Sequence, residues 1–173
     1  MDRTAQPSGQ GFRSASSFLC GGTGSSAGML PWPCSKVLRR SRHPRGILDT
    51  SVVIDLESLD PTRLPLEVAD SAITMGELAA GPHATTDADE RARRQDRLQR
   101  AEAAFDPLPF DLDAARSYGR IYSAVVATGR KARGPRAVDL MIAATALSLG
   151  LPLYTRNIDD LDGLEKLLDV VEI

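Results

Sequence analysis

From residue 46 to the C-terminus, short apolar runs alternate with longer helical patterns, and this alternation constrains the fold more than any other feature. "GILD" reads as a short strand, and "SVVIDLES" after it as a helix with Val52, Val53 and Leu56 on one face. "SAIT" (71–74) reads as a second strand, followed by the helix "MGELAAG", which Gly81 and Pro82 close. Residues 86–105 form a polar, arginine-rich helical pattern, and "PLPF" (107–110) reads as a third strand. "LDAARSYGRIYSAVVATG" is amphipathic, whereas "AVDLMIAATALSLG" is apolar on most faces and reads as a buried helix. "LPLYT" and "VVEI" supply a fourth and a fifth strand. Strands alternating with helices through short connections predict an α/β domain with a parallel sheet covered by helices.

Before residue 46 the pattern is absent. "SGQGFRSASSFLCGGTGSSAGMLPWPCSK" is rich in Ser and Gly, and such a stretch buries too little apolar surface to offset its ordering entropy. Residues 1–45 are therefore expected to be a disordered leader, with the folded domain spanning 46–173. The run around Ser17–Cys20 is too short and polar for the ~7–15 apolar residues of a secretory signal. The leader is basic, with Arg3, Arg13, Lys36, Arg39, Arg40, Arg42 and Arg45 against Asp2, while the rest of the chain is acidic. It reads either as an upstream segment with the true start near Val37 or Leu38, or as a basic arm for nucleic acid.

Composition excludes several classes. With 42% hydrophobic and 25% charged residues the chain resembles an ordinary globular protein, and no apolar run reaches the ~18 residues of a membrane span. Cys20 and Cys34 are the only cysteines, too few for a zinc site, which points to a reducing cytoplasm. His43 lies in the leader and His83 in a Gly-Pro turn, so no histidine is placed as a catalytic base.

Four acids fall where ligands bind such a sheet, beyond the C-terminal ends of its strands. Asp49 follows strand one, Glu77 sits in the first turn after strand two, and Asp160 lies past strand four. Asp139 opens the buried helix, whose apolar neighbours draw it inside. Each has an ordinary alternative. Asp49 can cap the next helix with help from Ser51, and Glu77 can complement a helix dipole. Asp139 can pair with Arg136, and Asp160 competes with Asp159 and Asp162 as a solvated loop residue. Four acids on one edge repel and raise one another's pKa, unless they share a divalent cation. Oxygen-only ligation favours Mg²⁺ or Mn²⁺ over zinc.

In this order, "LDTSVVID", "AITMGELAAG", "RAVDLMIAATAL" and "LYTRNIDDL" resemble the four signature segments of the PIN-domain ribonucleases, in particular the VapC branch of type II toxin–antitoxin systems. The resemblance covers residues 46–173. It implies a PIN-like three-layer fold, a central, mostly parallel sheet of about five short strands flanked by helices. It implies Asp49, Glu77 and Asp139 as the core acids, Asp160 as the fourth, and Thr155 and Asn157 as polar neighbours of a metal. Leu161 stands where the family often has an aromatic residue. The implied activity is Mg²⁺- or Mn²⁺-dependent cleavage of RNA phosphodiester bonds, with a homodimer and a VapB-type antitoxin as partners. Carboxylate-held ions lower the pKa of a bound water and neutralise phosphate charge. Ser51 is placed to donate a hydrogen bond to a ligating carboxylate.

An RNA substrate needs cations. "GRKARGPR" offers Arg130, Lys131, Arg133 and Arg136 on a Gly-rich loop leading to Asp139, and these are the expected phosphate contacts. The arginines of 91–100 are interleaved with acids and read as a solvated face. Tyr118 and Tyr122, four apart, read as core or dimer-interface packing. Two rivals stand beside the nuclease. A haloacid-dehalogenase-like phosphohydrolase needs an aspartate two positions after Asp49, where Ser51 stands. A degenerate PIN domain would bind RNA or a partner without cutting and would lack a core acid, yet all four acids are present.

Overall fold

The computed structural model describes residues 11–15, 43–134 and 136–173. Five strands form one sheet among them: β1 Arg13–Ser14, β2 Arg45–Leu48, β3 Glu67–Ala69, β4 Leu153–Thr155 and β5 Val170–Glu172. Their order is β1-β3-β2-β4-β5, parallel except for the β1–β3 pair. Five helices accompany them: α1 Thr50–Asp55, α2 Ala72–Ala80, α3 Ala88–Ala104, α4 Leu112–Ala127 and α5 Arg136–Leu149.

Side-chain alternation along the strands separates two cores, one on each face of the sheet. Ile47 and Leu153, paired in register, join Ile121 and Val125 of α4 and Leu140, Ile142 and Ala143 of α5. Leu48 and Tyr154, the next pair, join Val52, Val68, Leu78, Leu98 and Phe105 on the other face. Both faces are covered, as a parallel sheet requires, and each fully buried Leu, Ile or Val contributes about 1.5–3 kcal/mol. Close approach explains Gly46, because a Cβ there would lie 2.6 Å from the Tyr154 ring. Tyr118 and Tyr122 pack against the α4–α5 core with ring centroids 6.2 Å apart.

Two of the expected strands are corrected. "SAIT" is helical from Ala72, because the Ser71 hydroxyl accepts the Thr74 N–H at 3.1 Å and caps the helix. The cap outweighs the strand preference of Ile73 and Thr74. The strand lies earlier, at "EVA", where Pro65 and Glu67 hide it from a pattern search. "PLPF" makes only one bridge, with Leu108 donating to Asp70 O and accepting from Ala72 N. Pro107 and Pro109 have no N–H to extend it.

The fifth strand comes instead from the leader. Arg13 pairs with Val68 and Ser14 with Glu67, and the buried Ala15 donates to Leu66 O at 2.9 Å. Arg45 begins β2, pairs with Glu67 at 2.6 Å and lies over the Phe12 ring. Residues 11–15 and 45 thus belong to the folded unit, in contrast to the boundary expected at 46. The remainder of the expected disordered leader, residues 1–10 and 16–42, lies outside the described residues. No helix among the described residues is long and apolar enough to cross a membrane.

Candidate active site

The site is built on Asp49, the first residue beyond β2. Its backbone is extended (φ −69°, ψ 158°), and its carbonyl accepts from Val52 and Val53 as α1 begins. It therefore occupies the N-cap position, but its side chain makes no capping bond. The carboxylate Oδ2 accepts instead from Ser51 Oγ at 2.8 Å and from Thr155 Oγ1 at 2.9 Å. Thr155 follows from register, since β2 and β4 pair Ile47 with Leu153 and the same face recurs two residues on. Backbone amides orient both hydroxyls: Arg156 N–H donates to Ser51 Oγ and Asn157 N–H to Thr155 Oγ1. Asp49 is only 6% exposed, and its hydrogen bonds come from hydroxyls, with no ion pair among the described residues. A buried carboxylate so placed lacks a compensating positive charge.

Asp139 completes the centre from the first turn of α5. Its carboxyl is pushed up to about 7, first by burial and then by the charges of Asp49, Glu77 and Asp160, with Arg136 opposing. Of the four acids found in the sequence, Asp49, Glu77 and Asp160 thus lie near enough to Asp139 for their charges to act on it. Glu77 arrives from the second turn of α2, one turn later than expected because the helix starts before Met75. Thr50 Oγ1 donates to Glu77 Oε2 at 2.5 Å. Thr50 was not among the sequence candidates, although its place beside Asp49 at the start of α1 was the available signal. Asp160 lies in the short 3-10 turn Ile158–Leu161, with Arg136 3.5 Å from its Oδ1.

The remaining candidates divide. Ser51 and Thr155 hold Asp49, whereas Asn157 contributes its backbone amide and its side chain is exposed. Arg130 donates to Asp159 O at 2.8 Å and pairs with Asp162 at 2.7 Å. With Arg136 it clamps the segment that carries Asp160. Lys131 and Arg133 are exposed, with no hydrogen bond or ion pair among the described residues.

The donor set is all oxygen, which suits Mg²⁺ or Mn²⁺. As the side chains stand, no three of the acids among the described residues close on one ion together. The fit is thus one of donor chemistry and unbalanced charge, in an open arrangement. A cleft of about 520 Å³ runs along residues 158–170 and contains none of the four acids. A cleft of about 270 Å³ reaches the site, with Thr50 and Glu77 in its wall. Asp70 is a useful contrast. Its carboxyl is also pushed up to about 7, again chiefly by burial, but Asp49, Glu77 and Asp139 are not among the charges that act on it. Continuing the β2–β3 register sets it beside Leu48, on the opposite face from Asp49.

The PIN domain family model matches residues 47–166 of this chain. Ribonuclease VapC5 of Mycobacterium tuberculosis is 40% identical over 117 residues, covering 66% of this chain and 84% of that protein. VapC ribonuclease Y4jK of Sinorhizobium fredii is 36% identical over 123 residues, 64% and 86% of the two chains. Among solved structures, VapBC-5 of Mycobacterium tuberculosis, a member of the VapBC family of toxin–antitoxin systems, superposes with a TM-score of 0.63. That match has 34% identity and covers 75% of this chain and 99% of the other. FitAcB of Neisseria gonorrhoeae gives a TM-score of 0.55 at 27% identity, over 73% and 96% of the chains.

Proposed function

The chain belongs to the PIN-domain family, and from that premise we propose that it is the ribonuclease toxin of a VapBC-type toxin–antitoxin pair. In this reading it is an endoribonuclease dependent on Mg²⁺ or Mn²⁺, works in the cytoplasm and is neutralised by a VapB-type antitoxin. The observation that carries the reading is the buried Asp49 carboxylate, held by Ser51 and Thr155 with no ion pair among the described residues, whose charge acts on Asp139 together with those of Glu77 and Asp160.

Asp49 and Asp139 would be the principal ligands, with Glu77 and Asp160 completing the set. When bound there, a divalent ion lowers the pKa of a water and offsets charge developing on the phosphate. The chain's own groups prepare the site. Ser51 and Thr155 fix Asp49 Oδ2, so that the carboxylate does not rotate away. Thr50 holds Glu77 Oε2, and Arg136 with Arg130 keeps the Asp160 segment against α5. Burial and the neighbouring acids favour the protonated form of Asp139, and a cation held there would displace that proton. An antitoxin arginine placed among these acids would block the site by a charge-assisted pair. A homodimer fits the exposed Leu112 and Val126 on α4.

The test is cleavage of a mixed RNA pool by the full chain with Mg²⁺ or Mn²⁺, wild type beside Asp49→Ala. Cleavage that needs the metal and disappears in the variant supports the reading. Cutting that survives Asp49→Ala places the activity elsewhere. Metal and RNA binding without cutting favours the alternative, a PIN domain that serves as an RNA- or partner-binding module.

A further inference from the structure

Helix α3 gives four of its five arginines a partner among the described residues. Arg93 and Arg94 share Glu90 at 2.9 and 2.7 Å, Arg100 meets Glu57 at 3.3 Å, and Arg91 donates to Thr85 O at 3.1 Å. Arg97 has no hydrogen bond or ion pair among the described residues. The sequence dictates this. Its helical neighbours three and four positions away are Arg93, Arg94, Arg100 and Ala101, so no acid stands where an intrahelical pair forms. Like charges at these spacings repel. Arg97 is nevertheless half-buried, and it lines two clefts at once.

A partly desolvated guanidinium whose neighbouring acids Glu57 and Glu90 are already paired with other arginines is suited to an external anion. The clefts indicate which kind. The larger, about 270 Å³, is lined by Thr50 and Glu77 of the active site and, from α3, by Arg97 and by Arg94 with its partner Glu90, which leaves Arg97 as the cation there without a partner among the described residues. Arg94 donates to Gly81 O at 3.0 Å, and Gly81 is four residues beyond Glu77, about 6 Å along the helix axis. The cationic end is therefore roughly one helical turn from the acid end. A polymer of evenly spaced phosphates suits both ends, with one phosphate at the metal-holding acids and a neighbour at Arg97. Both clefts share the exposed, apolar Ile54, a surface on which a base can rest.

We propose that Arg97 anchors a backbone phosphate of single-stranded RNA lying along the cleft between α2 and α3 into the active site. The proposal rests on the ribonuclease reading above. A phosphate contact carries no sequence information, so it should act equally on every RNA.

The test uses the full chain in EDTA with two fluorescein-labelled single-stranded RNAs of unrelated sequence, followed by anisotropy over a range of KCl. Arg97→Ala is expected to weaken both RNAs several-fold and by the same factor, and to reduce the salt slope by about 0.7, the loss of one phosphate contact. Arg97→Lys should keep the slope. So should Arg93→Ala, which removes an exposed arginine already paired with Glu90. Arg97→Gln is the second variant, and thermal melting confirms that each is folded. A slope unchanged in both Arg97→Ala and Arg97→Gln overturns the proposal and assigns Arg97 to a protein partner's carboxylate. A loss confined to one RNA overturns it in favour of base recognition. Wild-type protein that neither binds these RNAs in EDTA nor cuts RNA in Mn²⁺ removes the ribonuclease reading and the anchor with it.

Discussion

Replacing Asp70 with asparagine should change how stability depends on pH. Asp70 is 0% exposed, and neither carboxylate oxygen has a hydrogen-bond partner on another described residue. Burial pushes its carboxyl from 3.8 to about 7, partly opposed by its own backbone amide and reinforced by Asp106. At about 1.4 kcal/mol per unit, that separation amounts to about 4 kcal/mol. The direction follows from proton counting. Between 3.8 and 7 the folded chain keeps a proton on Asp70 that the unfolded chain has released, so stability falls as pH rises through this window. The contribution is full below 3.8 and lost above about 7. Against a typical domain stability of about 5–15 kcal/mol this is a large effect. Asp70→Asn removes the titration but keeps the shape. Its buried amide brings a constant penalty of about 1–3 kcal/mol, so the slope is diagnostic rather than the offset. Urea unfolding of both proteins from pH 4 to pH 8 measures it. The variant should gain on wild type by up to about 4 kcal/mol as pH rises. A difference that stays constant across the range would refute the reasoning, because it would mean that Asp70 ionises as easily folded as unfolded.

Other expectations follow from the same geometry. Asp139, pushed up to about 7, must lose its proton to bind a cation, so Mn²⁺ affinity should fall about tenfold per pH unit below 7 and level off above it, as calorimetry across pH would show. Thr155→Ala removes one of the two hydroxyls holding Asp49 and should cost about 10–100-fold in metal affinity or cleavage rate while the fold is kept. Gly46→Ala drives a methyl into the buried Tyr154 ring and should cost about 1–3 kcal/mol in urea unfolding.

Where the acids stand in the fold was partly legible in the sequence. An ionisable group directly after an apolar strand, as at Asp49, or at the head of an apolar helix, as at Asp139, is conspicuous. Their hydroxyl partners were partly legible: Ser51 is local, and Thr155 followed from the family resemblance. Thr50 was missed because a threonine in a helical first turn is unremarkable until α2 brings Glu77 against it. The loop arginines show a related limit of the sequence. Their charge and their Gly-rich loop are plain in it, but not that folding brings the Asp159–Asp162 segment within reach of Arg130 and Arg136. Among the strands, "SAIT" failed because one capping serine outweighs two β-branched residues, and "PLPF" because two prolines leave a single donor. β1 could not be read from composition at all. Two residues gain their strand geometry only from the open edge of β3.

The most direct test is calorimetric titration of Mn²⁺ into the full chain at pH 8, with Asp49→Asn, Asp139→Asn and Asp70→Asn beside wild type. A metal held by the converging acids gives measurable binding to wild type, loss of that binding in the Asp49 and Asp139 variants, and wild-type binding by Asp70→Asn. Equal binding by all four proteins, or none by wild type, would contradict a carboxylate-held metal in this site.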